Sequence, residues 1–265
     1  MRRLRPGTLL LWIVAVGGFV YLFVPLVTIV VFTFNDPSGK FNTSWEGFTW
    51  DNWLHPFRDR AFTDALWQSI KVAAVACTLA TILGSLVALA LARYRMRGGA
   101  VINLLIVLPL TTPEIVMGSS LFTLFFNLGV RRGFWTVVLA HTMFCLSFVA
   151  MTVKARVRGS DWTLEDAAMD LGATPTRTFW RITVPMITPG VVAAFLLSLA
   201  LSIDDYIITS FVAGPTVTFP RRVFDSARRA LPPQVHVLAT LIMLVAIAII
   251  VGATIAGNRR RALDR

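Results

Sequence analysis

Charge is missing from five long stretches of this chain. Residues 8–34, 72–92, 133–153, 182–203 and 230–258 contain no Asp, Glu, Lys or Arg, and a sixth stretch, 98–130, is interrupted only by Glu114. Each stretch is long enough to cross about 30 Å of hydrocarbon as a helix, which takes about 20 residues. The pattern predicts an all-α polytopic membrane protein with six transmembrane helices, read as a single transmembrane domain over 1–265.

The polar intervals organise the spans. Asn35-Asp36-Pro37-Ser38-Gly39 reads as a turn that opens an external loop over 35–66, with Trp45, Trp50 and Trp53 placed for a headgroup interface. The turn from Arg93 to Gly99 is short. The third span carries Pro109 and Pro113, which remove backbone donors, so it is expected to be broken where protein or a cavity can satisfy the freed carbonyls. The fifth span is expected over about 185–211 and the sixth over about 235–257.

Residues 154–184 form the longest inner interval and read as two short helices. Thr163 and Asp166 have capping-box spacing, Gly172 is placed to end the first helix in a left-handed conformation, and Thr174-Pro175 starts the second. Phe179 and Trp180 on that second helix offer exposed aromatic surface for a partner or for the lipid interface.

Charge then orients the chain. The net charge is +11, but the basic residues lie in loops between spans and form no patch on a soluble domain, so nucleic acid is not an expected partner. With both termini inside, the inner segments hold fifteen of the 25 Lys and Arg and the outer segments ten, the bias being firmest where Arg2, Arg3 and Arg5 precede the first span. That span is too long for a signal-peptide core, and no small-residue cleavage site follows it before Asn35. A multi-pass protein of the inner membrane, bathed in membrane lipid, is the expectation. Cys77 and Cys145 lie inside spans without metal or redox spacing and read as packing residues.

The inner interval carries a resemblance. Asp166-Ala167-Ala168 is followed after three residues by Gly172, and nine residues later come Ile182, Thr183, Val184 and Pro185. This spacing resembles the EAA loop of ABC importer permease subunits, with Asp166 where Glu is usual and Val184 where Leu is usual; Glu165, one residue earlier, is a candidate for the same role. The wider chain is similar to the spermidine/putrescine permeases, through Trp45-Glu46-Gly47-Phe48-Thr49, Tyr94-Arg95-Met96-Arg97-Gly98, Pro113-Glu114-Ile115-Val116-Met117 and Leu201-Ser202-Ile203-Asp204-Asp205. The resemblance implies a type I importer fold in which residues 154–184 are a cytoplasmic coupling loop. Glu165, Asp166, Ala167, Ala168, Gly172, Ile182 and Pro185 would then engage a dimer of a separate ATP-binding subunit. It also implies a second permease, expected to be a different chain, a periplasmic or lipid-anchored solute-binding protein, and no cofactor. The implied solute is a polyamine, with a ferric ion, an opine or an amino-acid-like cation as alternatives. The chain has no G-x-x-x-x-G-K-[ST] loop to bind ATP in that way, so it reads as a transport subunit and not an enzyme.

Three carboxylates fall inside spans: Glu114, Asp204 and Asp205. Each costs about 2.5–3.5 kcal/mol to place at a bilayer centre on insertion scales, which makes all three candidates for the substrate pathway. Neighbouring positions on a regular helix point about 100° apart, so Asp204 and Asp205 are expected to do different things, one lining the pathway and the other capping a helix break or meeting the partner subunit. His141 has no ligand spacing and reads as a satisfied packing residue. Adjacent carboxylates diverge, which excludes the converging pair of an aspartyl protease. A secondary transporter with carboxylate ion sites is the other reading, and the lack of an inverted repeat argues against it.

Overall fold

The computed structural model describes residues 6–94 and 97–263. Arg2, Arg3, Arg5, Arg95, Met96 and Arg265 of the sequence reading lie outside the described residues. The helices are α1 (Pro6–Phe32), α2 (Asp51–Leu54), α3 (Arg60–Arg93), α4 (Gly99–Thr111), α5 (Glu114–Asn127), α6 (Phe134–Arg158), α7 (Thr163–Asp170), α8 (Pro175–Thr178), α9 (Val184–Asp204), α10 (Ile207–Val212), α11 (Phe219–Ser226) and α12 (Pro233–Leu263), with a π-helical turn, Phe179–Thr183, between α8 and α9. Five helices are long and apolar enough to cross a membrane, and α4 with α5 makes a sixth when counted as one broken span. By internal contacts the chain divides into two units, residues 64–222 and residues 1–63 with 223–265.

In the 64–222 unit α6 is the central helix, with 67% of its apolar stretch buried. Its Val137, Phe144, Cys145, Val149 and Val153 meet Ala73, Ala76, Cys77 and Ala80 of α3 in one core with Ala194 of α9. Small residues at such contacts let helix backbones approach, which is what drives association where lipid is as apolar as the side chains. Cys77 and Cys145 are buried, free thiols, as their placement in spans predicts. The expected break of the third span is present: Pro113 separates α4 from α5, and the two helices are bent by 110°. The fifth span is also broken, with Asp205 rather than Asp204 in the capping role that the sequence left open between them. It ends at Asp204 and resumes at Ile207.

In the other unit α1 runs beside α12. None of the apolar stretch of α1 is buried, so its surface requires lipid or a partner. The expected loop over 35–66 is partly helical, with α2 inside it and α3 starting at Arg60. Side-chain amides hold its irregular backbone. Asn35 Nδ2 donates to Asn42 Oδ1 (2.6 Å) and to the carbonyl of Ser44 (2.7 Å), while Asn52 Nδ2 donates to the carbonyls of Asn35 (2.8 Å) and Thr33 (3.1 Å). Buried loop carbonyls need such partners, because an unpaired one costs about as much as a lost hydrogen bond. Trp45 and Trp50 are exposed as expected of interface anchors, whereas Trp53 is half-buried and donates its indole N–H to Thr33 Oγ1.

Candidate functional site

Two arrangements in the 64–222 unit bring the sequence-predicted residues together. The first is the interval 154–184. The start of α7 differs from the sequence expectation: Thr163 is the first helical residue and not its cap. Asp161 does the capping work, its Oδ1 accepting from the backbone N–H (3.1 Å) and the hydroxyl (2.7 Å) of Thr163. These bonds hold the Asp161 carboxyl below its ordinary range. An ionised carboxylate two residues earlier outcompetes a hydroxyl for the free N–H groups of the first turn.

The far end follows the expectation. Gly172 has φ +87°, its N–H donates to the carbonyl of Met169 (2.9 Å), and the N–H of Ala173 reaches the carbonyl of Ala168 (3.0 Å). That is a Schellman stop, which glycine enters without the steric cost other residues meet. Thr174 then caps α8, accepting from the Arg177 N–H (3.4 Å), with Pro175 in the first position. The second helix is only one turn long, and it passes through the π turn into α9, so Ile182 lies in that turn and Pro185 in the first turn of α9.

The two faces of α7 differ. Leu164, Asp166 and Ala167 are exposed, and Leu171 just beyond the helix is 90% exposed. Glu165 is turned inward and is 1% exposed. Its Oε2 lies 2.5 Å from Arg93 Nη1, and its Oε1 accepts from the hydroxyl of Thr183. Trp180 remains exposed, as its place in the sequence suggested.

The second arrangement lies where two helix breaks face each other. Glu114 is the first residue of α5, exposed, directly after the 110° bend. Asp204 is the last residue of α9 and is exposed. α5 packs along α10 at Gly118, where a Cβ would lie 2.7 Å from Phe211 Cδ2 and 3.3 Å from Ile208 Cα, so only glycine permits this approach. The packing sets the start of α5 beside the gap between α9 and α10.

Asp205 itself is buried and makes the break. Its backbone is extended (φ −64°, ψ 119°). Its Oδ1 accepts from the N–H of Ile208 (3.3 Å), and its Oδ2 from the N–H (2.8 Å) and hydroxyl (2.7 Å) of Thr209. His141 of α6 closes the group, with Nε2 3.1 Å from Asp205 Oδ2 and 2.9 Å from Thr209 Oγ1, and Nδ1 2.7 Å from Ser202 Oγ. The far end of α10 is held too, since the carbonyl of Val212 accepts from Thr136 Oγ1 (2.8 Å). His141 is thus a satisfied buried residue, as read, but its partners make it the anchor of a helix break. Sequence reasoning missed that role, along with those of Arg93, Thr183 and Thr209.

Comparison with known proteins bears on both arrangements. Residues 80–264 match the family model described as "Binding-protein-dependent transport system inner membrane component". The chain is 36% identical to the spermidine/putrescine transport system permease protein PotC of Haemophilus influenzae over 88% of this chain and 90% of that one. It is 41% identical to the putrescine transport system permease protein PotI of Escherichia coli K12, over 85% and 83%. Among solved structures it is similar to a chain of a bacterial ABC transporter that imports alginate (TM-score 0.69, 13% identity, 95% of this chain and 99% of that one). It is also similar to one from the MetNI methionine ABC transporter (TM-score 0.60, 16% identity, 77% and 96%). The fold is that of a type I ABC importer permease. With the family model spanning both the inner interval and the facing helix breaks, and relatives matched along most of their length, the chain belongs to the family of binding-protein-dependent transport system inner membrane components.

Proposed function

We infer that this permease subunit carries a small polyamine, of the putrescine or spermidine class, across the inner membrane. The observation that carries the reading is the pair of exposed carboxylates, Glu114 and Asp204, held at facing helix breaks inside the apolar part of the chain. Relatives named as polyamine permeases are the second support. A polyamine arrives with several ammonium groups, and leaving water is costly for each unless a carboxylate replaces part of the hydration shell. Two separated carboxylates suit a cation whose charges are separated by methylenes.

The chain is not an enzyme; ATP hydrolysis belongs to a separate subunit. Importers of this family pair their permeases with an ATPase and a solute-binding protein. For this chain, α7, with Asp166 and Ala167 on its exposed face, Ala168 half-buried beside them and Gly172 closing it, is the seat for a dimer of the ATP-binding subunit. Ile182 and Pro185 carry the movement onward into α9. A second, different permease completes the channel, and a periplasmic or lipid-anchored binding protein delivers solute on the side of residues 35–66.

Reconstitution tests the solute. Proteoliposomes holding this chain with the products of its neighbouring genes are expected to accumulate labelled putrescine or spermidine only with ATP and the binding protein present. Accumulation of a different solute, with polyamines neither carried nor competing, would overturn the polyamine reading. Orientation has its own check. Reporters fused after Gly172 or Arg261 are expected on the cytoplasmic side, and those after Trp53 or Pro220 outside, following the distribution of arginines. An external signal at Gly172 would contradict both the orientation and the ATPase seat.

A further inference from the structure

Glu165 points away from the surface that the coupling reading offers to the ATPase, and both of its oxygens are engaged within the chain. Arg93, which takes Oε2, is the last residue of α3. Its guanidinium also lies over the Trp162 ring, 5.6 Å from the centroid, at the residue that precedes α7. Thr183, which donates to Oε1, is the last residue of the π turn and is 1% exposed. The carboxylate therefore joins three segments: the inner end of α3, the coupling helix α7 and the start of α9.

Covalent attachment alone would hold α7 loosely. It is linked to α6 through the turn at Gly159-Ser160-Asp161 and to α8 through Gly172, and glycine positions of this kind absorb rotation. A lever on two such joints would tilt without moving the spans. The π turn has a part here as well. Its wider winding shifts the phase of the side chains that follow, and such turns often occur at functional sites. In this chain it ends on the hydroxyl that meets Glu165.

We propose that Arg93, Glu165 and Thr183 form an internal clamp that makes the coupling helix one rigid body with the inner ends of α3 and α9. Glu165 is then a positioning residue and not a contact to the ATPase. The proposal rests on the assignment of residues 154–184 as the coupling loop. An ion pair between an exposed guanidinium and a buried carboxylate is a suitable device, because its strength depends on geometry and it tolerates little sliding, unlike an apolar contact.

The test uses the complete importer in proteoliposomes and reads solute carried per ATP hydrolysed, together with complex yield. Glu165→Gln and Arg93→Ala are expected to assemble with the ATPase and to lower solute per ATP about tenfold, within the range of a coupling free energy. Arg93→Lys keeps the charge and should recover part of the loss. The double variant Arg93→Ala with Glu165→Gln should be no worse than either single change, since both remove one clamp. Parental solute per ATP in Glu165→Gln would overturn the proposal. So would loss of ATPase binding in Glu165→Gln but not in Arg93→Ala, which would place Glu165 on the partner. Asp166→Lys separates the underlying reading: full coupling in that variant would remove the coupling-loop assignment itself. An uncoupled Asp166→Lys beside normal clamp variants would remove the clamp alone.

Discussion

Asp166→Lys and Gly172→Glu are expected to leave every span inserted and yet to abolish solute-stimulated ATP hydrolysis in the assembled importer. The two variants act on the same exposed face by different physics. Asp166 is on the outward side of α7, so lysine there reverses the charge presented to the ATPase without touching the buried Glu165 contact. Gly172 has open space around its would-be Cβ, so glutamate meets no clash within the chain. Its penalty is conformational. At φ +87° an L-residue costs about 1–2 kcal/mol, and relief comes by unwinding the Schellman stop that fixes where α7 ends. A lever of altered length and charge no longer seats. The measurement is ATPase rate with and without loaded binding protein, alongside complex yield. Stimulation falling by at least about tenfold is the expected result, equivalent to about 1.4 kcal/mol of lost coupling. Normal stimulation in Gly172→Glu would contradict the seat assigned to α7.

Among the three intramembrane carboxylates, Asp204→Asn and Glu114→Gln are expected to lower polyamine uptake roughly tenfold or more while complex yield stays near parental. A charge-assisted contact to an ammonium group contributes about 1.5–3 kcal/mol, and both side chains are exposed. Asp205→Ala is expected to fail differently. It strips the N–H groups of Ile208 and Thr209 of their acceptor and leaves His141 without its carboxylate, a loss of about 1–3 kcal/mol for a buried polar group left unsatisfied. Its signature is reduced complex yield and thermal stability. Side-by-side uptake, yield and melting of the three variants decide the matter. If all three transport at the parental rate, the carboxylates are structural and the polyamine reading loses its physical support.

How far these features could be read from the sequence depends on how local their causes are. The spans were legible because hydrocarbon thickness fixes a minimum uncharged length that nothing else in the chain imitates. The break at Pro113 was legible because proline lacks the N–H a helix needs, and that deficiency belongs to one residue. The stop at Gly172 was legible for the same kind of reason. The break at Asp205 was legible only as one of the roles open to two adjacent carboxylates, since residues 201–211 contain neither glycine nor proline. There the helix is interrupted by a side chain that captures the backbone donors ahead of it, steadied by a histidine from a different span. Glu165 was read as a candidate for the same coupling role as Asp166 because it lies one residue before the motif. Its burial comes from Arg93 and Thr183, both remote in sequence. The cap of α7 was misplaced by two residues because Thr163 and Asp166 fit one local rule while Asp161 satisfied a stronger one.

The contact between His141 and Asp205 also bears on how the chain is made. α6 is synthesised before α9, so the imidazole is already in the bilayer when the segment ending in Asp204 and Asp205 leaves the ribosome. A carboxylate entering lipid alone would oppose insertion by about 2.5–3.5 kcal/mol, enough to stall a segment of moderate hydrophobicity. Arriving against a helix that already offers a nitrogen, it can dock as it inserts. The order of the helices along the chain thus offers the histidine before the carboxylate it pairs with, which lowers the cost of inserting the fifth span.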